Sequence, residues 1–341
     1  MKIRGLVLVA TALLLCSCSG CNSGGSTGGL YQPSEEKPGE TRAFPLANVP
    51  SIYADDSEAA QAYVLEHYWD GFFKGDGATT PDAILGVPDA ELEQALANYI
   101  QILLIIKDQS VPDNQAAFKQ ALASVKRMFS LMEAREPADS SSSTYVRFAE
   151  MVSKYLYDPN SPMRDEDYYL PFVNALAASP HTRDEMRTAY RFEASQCAVN
   201  RYGETAPNFS FKDAKGNKHS LYDYRSDYVM LFFSNPGCTS CKEIIDDIRN
   251  CKVIDPMMAE GALTIVNIYI DEEVDKWRDY LPNYPSKWKN GYDYTFSLRE
   301  SGVYDIRAIP SLYLLDSRKR VLLKDAPTAR VLSYLENKYA Q

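Results

Sequence analysis

From residue 51 to about 203, apolar side chains return every three or four positions, the spacing of helices that bury one face. Six segments carry it: 56–72, 88–107, 112–134, 143–157, 165–178 and 182–203. In the second, Leu92, Leu96, Tyr99, Ile100, Leu103 and Leu104 form one stripe. Helix-start signals stand at Asp56, Pro88-Asp89, Pro112-Asp113, and Thr182 with Glu185 three residues later. Gly75-Asp76-Gly77, residues 139–142 and Asp158–Pro162 read as turns. An all-helical domain over 51–203 follows. It shows no internal repeat and no cluster of catalytic residue types.

After Gly203 the period shortens. Residues 208–221 alternate around Lys215-Gly216-Asn217, a hairpin. YVMLFF (228–233) is an unbroken apolar run, as a strand buried on both faces requires. A helix is predicted from about 239 to 250, a second buried strand over 262–270, and a helix from Glu272 to Tyr280. Strands at 294–298, 311–316 and 321–325 and a closing helix over about 327–338 complete the chain. Strands alternating with helices make residues 204–341 a three-layer α/β domain.

The N-terminus fits neither pattern. Lys2 and Arg4 precede the apolar stretch Leu6–Leu15, too short to span a bilayer. Leu15-Cys16-Ser17-Cys18 then matches a bacterial lipoprotein signal, with an aliphatic residue three before, and a small residue directly before, the lipidated cysteine. Residues 1–17 are thus a cleaved signal and Cys18 the lipidation site, with Cys21 as runner-up. Residues 18–50, rich in Gly, Ser and Pro, read as a flexible tether. The expected location is the cell envelope, on a membrane through the lipid, facing the periplasm or the cell surface. The net charge of −10 becomes −12 once Lys2 and Arg4 are removed, which argues against nucleic acid as a partner.

Export bears on the seven cysteines, since thiols outside the cytoplasm are not held reduced. Cys238 and Cys241 lie at the junction of the first buried strand and its helix. At a helix start, unpaired N–H groups and the dipole favour a thiolate, the species that attacks disulfides. Cys241, one turn on, can resolve a mixed disulfide. A zinc ribbon would need a second CxxC or a Cys/His pair at short spacing. Cys197 and Cys251 are isolated, and His67, His181 and His219 are scattered. No metal and no cofactor is predicted. Cys197 and Cys251 are buried free thiols or a staple between the two halves.

The CxxC, together with Ile309-Pro310 before the strand-like SLYLLD, resembles the thioredoxin superfamily. There that proline is cis, faces the CxxC, and presents the preceding residue's backbone to an incoming peptide. ETAPNFSF leading through a hairpin into YVMLFF is similar to the entry of TlpA-like membrane-tethered thiol–disulfide oxidoreductases. The resemblance covers about 200–341. It implies Cys238 as nucleophile, Cys241 as resolving thiol, Ile309 and Pro310 as substrate-binding positions, and protein thiols or disulfides plus a redox partner protein as partners. Two positions depart from the pattern. Gly237 replaces the usual aromatic residue before the first cysteine, and Phe232 stands where thioredoxin has a buried acid. Proton transfer would then fall to another group, such as Asp246 or Glu300, or be slow. A peroxiredoxin cysteine follows Thr or Ser by three residues and Pro by seven, which neither Cys238 nor Cys241 does. The helical half resembles uncharacterised domains that precede thioredoxin modules in lipoproteins of Bacteroidetes-type bacteria. The sequence therefore points to a thiol–disulfide oxidoreductase, the alternative being a non-catalytic envelope binding module on a thioredoxin scaffold.

Overall fold

The structure is a computed structural model and describes residues 41–136 and 143–340. The leader, Cys18, Cys21 and the Gly/Ser-rich segment to residue 40 lie outside them. Residues 41–50, assigned to the tether above, are irregular but anchored. Arg42 donates to the carbonyls of Leu85 (2.7 Å) and Phe72 (2.8 Å), and the Phe44 ring meets Trp69 edge-on.

The helical half begins with α1 (Ser57–His67) and α2 (Asp70–Lys74). Asp56 caps α1 as expected, accepting from the Ala59 N–H. A small hairpin not foreseen from the sequence follows, β1 (Ala83–Ile84) with β2 (Val87–Pro88). Then come α3 (Asp89–Gln109), α4 (Ala116–Arg135), α5 (Ser143–Leu156), α6 (Glu166–Ala178) and α7 (Asp184–Cys197). The α3 stripe is buried along its length. At α7 the expected capping pair is not used. The Thr182 hydroxyl bonds instead to the Tyr145 hydroxyl, and α7 starts at Asp184. Trp69, Phe72, Tyr99, Phe148, Tyr168 and Phe172 fill this core. Each such side chain contributes roughly 1.5–3 kcal/mol by leaving water.

The second half is built on a seven-stranded sheet. β3 (Ser210–Lys212) and β4 (Lys218–Ser220) form the front hairpin, and β5 (Tyr228–Phe233) is central. α8 (Thr239–Asn250) and α9 (Ile254–Ala259) cross to β6 (Leu263–Tyr269), and α10 (Val274–Tyr280) leads to β7 (Lys289–Tyr292). α11 (Ser297–Glu300), β8 (Ser311–Asp316), β9 (Val321–Leu323) and α12 (Thr328–Tyr339) complete the chain. The sheet order is β4-β3-β7-β6-β5-β8-β9, with β5 parallel to β6 and antiparallel to β8. The fold is a thioredoxin-like three-layer α/β unit joined to a helical half.

One expected strand is corrected. Residues 294–298 turn instead of extending: Asp293 accepts from the N–H groups of Thr295 and Leu298, and Phe296 takes a left-handed φ of 57°. The strand lies earlier, at β7. As expected, β5 is buried on both faces. Met230 and Phe232 join a core continuous with the helical half, while Val229, Leu231 and Phe233 join a second core on the other face. Among the described residues no helix is long and apolar enough to cross a membrane.

Candidate functional site

The strand register brings three loops to one end of the sheet. β5 ends at Phe233, which pairs with Ser311, the first residue of β8. The loop after β5 carries Cys238, and the residue before Ser311 is Pro310. β9 runs back antiparallel to β8, and the Ala326 N–H bonds to the Leu312 carbonyl at 3.1 Å, so the β9–α12 loop ends there too. The Ile309–Pro310 peptide is cis, as the resemblance implied.

Cys238 is the N-cap of α8 and forms a disulfide with Cys241, with a Cα–Cα separation of 5.2 Å. Its sulfur also accepts from the Cys241 N–H at 3.1 Å. Cys238 is half-buried and Cys241 is 2% exposed. Gly237, one of the two departures, has a physical reason. Its φ is +72°, where a side chain is strained, although open space surrounds the position a Cβ would take. Glycine is selected there by backbone conformation.

Among the described residues the floor beneath the pair is apolar. Phe232 shares the core of Cys241 and Ile245 and meets Trp288 edge-on. In register beside Phe232 stands Asn267, whose amide oxygen accepts from Ser234 Oγ (2.6 Å). Ser234 also meets the Tyr284 hydroxyl at 3.2 Å, and Asn267 Nδ2 donates to Asn290 at 2.9 Å. Nothing in the sequence marks this polar cluster, because Asn267 sits inside an apolar strand. The two acids named from sequence do not lie in the floor. Asp246 pairs with Lys242 (2.7 Å) on the exposed face of α8, and Glu300 is exposed at the end of α11.

Charge is gathered instead where the halves meet. Lys324, after β9, is 2.5 Å from Glu166 and donates to the carbonyls of Gln196 (3.0 Å) and Val199 (2.7 Å). Arg307, three residues before Pro310, pairs with Glu166 (2.9 Å) and donates to the Tyr157 carbonyl (2.8 Å). Arg330 on α12 reaches Asp165 and Asp108, both at 2.7 Å, and Asp165 also holds Lys107. Burial alone would raise the Asp165 carboxyl, but Lys107 and Arg330 outweigh it and hold it at about 2. Burial raises Glu166 to about 7, against the pull of Lys324.

Cys197 and Cys251 are free thiols rather than a staple. Cys197 is buried at the end of α7, and Cys251 ends α8 beside Glu336. Among the described residues no group of three or more His, Cys, Asp or Glu gathers as a metal site would require.

A family model described as a domain of unknown function (DUF5106) matches residues 23–200, and one described as the AhpC/TSA family matches residues 202–322. A solved thioredoxin-like protein from Bacteroides caccae is 32% identical with a TM-score of 0.64, over 87% of this chain and 99% of that one. The C-terminal domain of an uncharacterized protein from Bacteroides fragilis is 42% identical over 40% of this chain and 98% of that one, with a TM-score of 0.39. The thioredoxin domain of a thiol-disulfide oxidoreductase from Bacteroides vulgatus is 22% identical over 40% of this chain and 97% of that one, with a TM-score of 0.37. No curated protein matches. The chain belongs to the thioredoxin-like proteins in which a DUF5106 domain precedes a domain of the AhpC/TSA family.

Proposed function

We propose that this protein is a thiol–disulfide oxidoreductase of the cell envelope, with Cys238 as nucleophile and Cys241 as resolving thiol. The observation that carries the reading is one arrangement: a CxxC heading α8, at the sheet end where the cis Ile309–Pro310 peptide also lies. In the reduced state the helix N-terminus stabilises a Cys238 thiolate. That thiolate attacks one sulfur of a partner disulfide, and the other sulfur leaves as a thiolate and takes a proton. Cys241 then attacks Cys238 Sγ, freeing the partner's second thiol and closing the Cys238–Cys241 disulfide. Two electrons pass to the partner, and a redox partner protein restores the dithiol. Run backwards, the same steps oxidise a partner dithiol. Ile309 and Pro310 position the partner chain. No cofactor takes part.

The reading includes a leader over 1–17, a lipid on Cys18, a tether from residue 18, a helical domain to 203 and a redox domain over 204–341. The protein would sit on a membrane, facing the periplasm or the cell surface. Cys241→Ser should accumulate mixed disulfides with envelope proteins on non-reducing gels, and a variant that traps none removes the oxidoreductase reading. Cys18→Ala should release the chain from the membrane fraction. Retention would assign the anchor to Cys21 or elsewhere. One observation favours a second reading, a binding module with an inert disulfide: Phe232 occupies the place of the proton-moving acid. The redox potential of the couple separates the two, because an inert structural disulfide lies below about −300 mV.

A further inference from the structure

We infer that the helical half builds part of the partner site: the turn Tyr157–Arg164, between α5 and α6, is a wall of the path along which a disulfide-bearing polypeptide reaches Cys238. This rests on the thiol–disulfide reading above and adds a specificity element from outside the thioredoxin-like unit.

Two of the three loops at the dithiol end of the sheet are held by this turn. Arg307, two residues before Ile309, donates to the Tyr157 carbonyl and lies over the Tyr157 ring at 4.3 Å. Arg164 donates to the Asp325 carbonyl at 2.7 Å, in the β9–α12 loop. Asp325 in turn accepts from Ser311 Oγ at 2.8 Å, directly after Pro310. Asp325 has a positive φ of 40°, which costs a non-glycine residue on the order of 1 kcal/mol. Its contacts with Arg164, Arg307 and Ser311 hold it there. The turn is therefore fixed to the loop that carries the cis proline.

The rest of the turn points outward and is internally braced. Asp158, Pro159, Asn160 and Pro162 are exposed. Asp158 Oδ1 accepts from the Asn160 N–H (2.7 Å), and Ser161 Oγ donates to the Tyr155 carbonyl (2.6 Å). A lip already ordered before contact loses little entropy on binding. A small disulfide needs only Cys238, whereas an extended chain entering past Ile309 would run alongside this lip, which is braced to the loops of Arg307 and Asp325.

The test uses reduced full-length protein carrying Cys241→Ser, with and without Pro159→Arg and Pro162→Arg, two exposed positions. Probes are short peptides holding one cysteine activated as a nitrothiobenzoate disulfide, flanked by glutamates or by lysines, and an uncharged dipyridyl disulfide. Cys238 attacks the peptide sulfur and the aromatic thiolate leaves, which reports the rate. The added charges should shift the acidic-to-basic peptide rate ratio by about fivefold or more at low salt, fade at high salt, and leave the dipyridyl rate unchanged. An unchanged ratio, a parallel shift of all three rates, or a Cys238 that reacts with neither peptide overturns the inference. A ratio that responds in a protein whose dithiol never turns over supports the wall and removes the redox reading instead.

Discussion

Among the described residues the core around Cys241 is apolar, whereas the place where the halves meet is crowded with charge. The floor is Phe232, Cys241, Ile245 and Trp288, bordered by the neutral amides and hydroxyls of Ser234, Asn267 and Tyr284. The seam buries Lys107, Asp165, Glu166, Asp167, Lys324 and Asp325, with Arg307 and Arg330 nearly so. Apolar packing tolerates many substitutions of similar volume, whereas a buried ion penalises every arrangement that leaves it unpaired. The seam thus specifies how the halves dock and the floor does not. Arg307 and Asp325 also flank the cis-proline loop, so this docking reaches the dithiol end of the sheet.

The sharpest separation of the two regions comes from removing the sulfur. Cys238→Ser should lower turnover in a dithiol–disulfide assay by about a thousandfold or more while unfolding by urea stays cooperative. Next in size is the seam. Lys324→Ala leaves Asp305 buried without its cation and Glu166 with Arg307 alone, and should cost about 3 kcal/mol in equilibrium unfolding. A loss below about 1 kcal/mol would mean that water enters the seam freely. The floor can be made like the seam by Phe232→Asp, which buries an unpaired carboxyl. It should destabilise by roughly 3 kcal/mol at neutral pH and less at acid pH, where the group is protonated. Equal losses at both pH values would mean the cost is lost aromatic packing alone.

The smallest expected effect is the acid response of the seam. Asp165 is lowered from 3.8 to about 2 in the folded protein, so its contribution is present above the unfolded value and lost as pH falls through the folded one. Between about pH 4 and pH 2 this should remove on the order of 2 kcal/mol. Asp165→Asn should flatten that part of the stability–pH curve.

Much of the fold is legible where one face of an element must be dry. The stripe of α3 and the runs of β5 and β8 announce themselves, because helix and strand periods follow from which side is buried. The pairing of Cys238 with the α8 N-terminus is equally readable, since strand, turn and helix are contiguous. Residues 294–298 misled because their composition suits a strand, while Asp293, just outside the window, captures two of their N–H groups. Asn267 was invisible inside an apolar run. Nothing in the sequence around Asp246 or Glu300 shows whether either faces the cysteine pair: Asp246 lies half-buried against Lys242 and Glu300 is exposed.

By itself the sequence determined what local physics decides: the period of each main element, the helix-start position of Cys238, and the α/β plan that follows a long helical segment. Tertiary structure alone decided which distant charges meet. Lys324 and Glu166 stand far apart along the chain, and so do Arg330 and Asp108. Nothing in the periodicity around any of them marks a partner. The physical reason is that a period reports only which side of an element avoids water, whereas an ion pair depends on where another element's backbone has been carried.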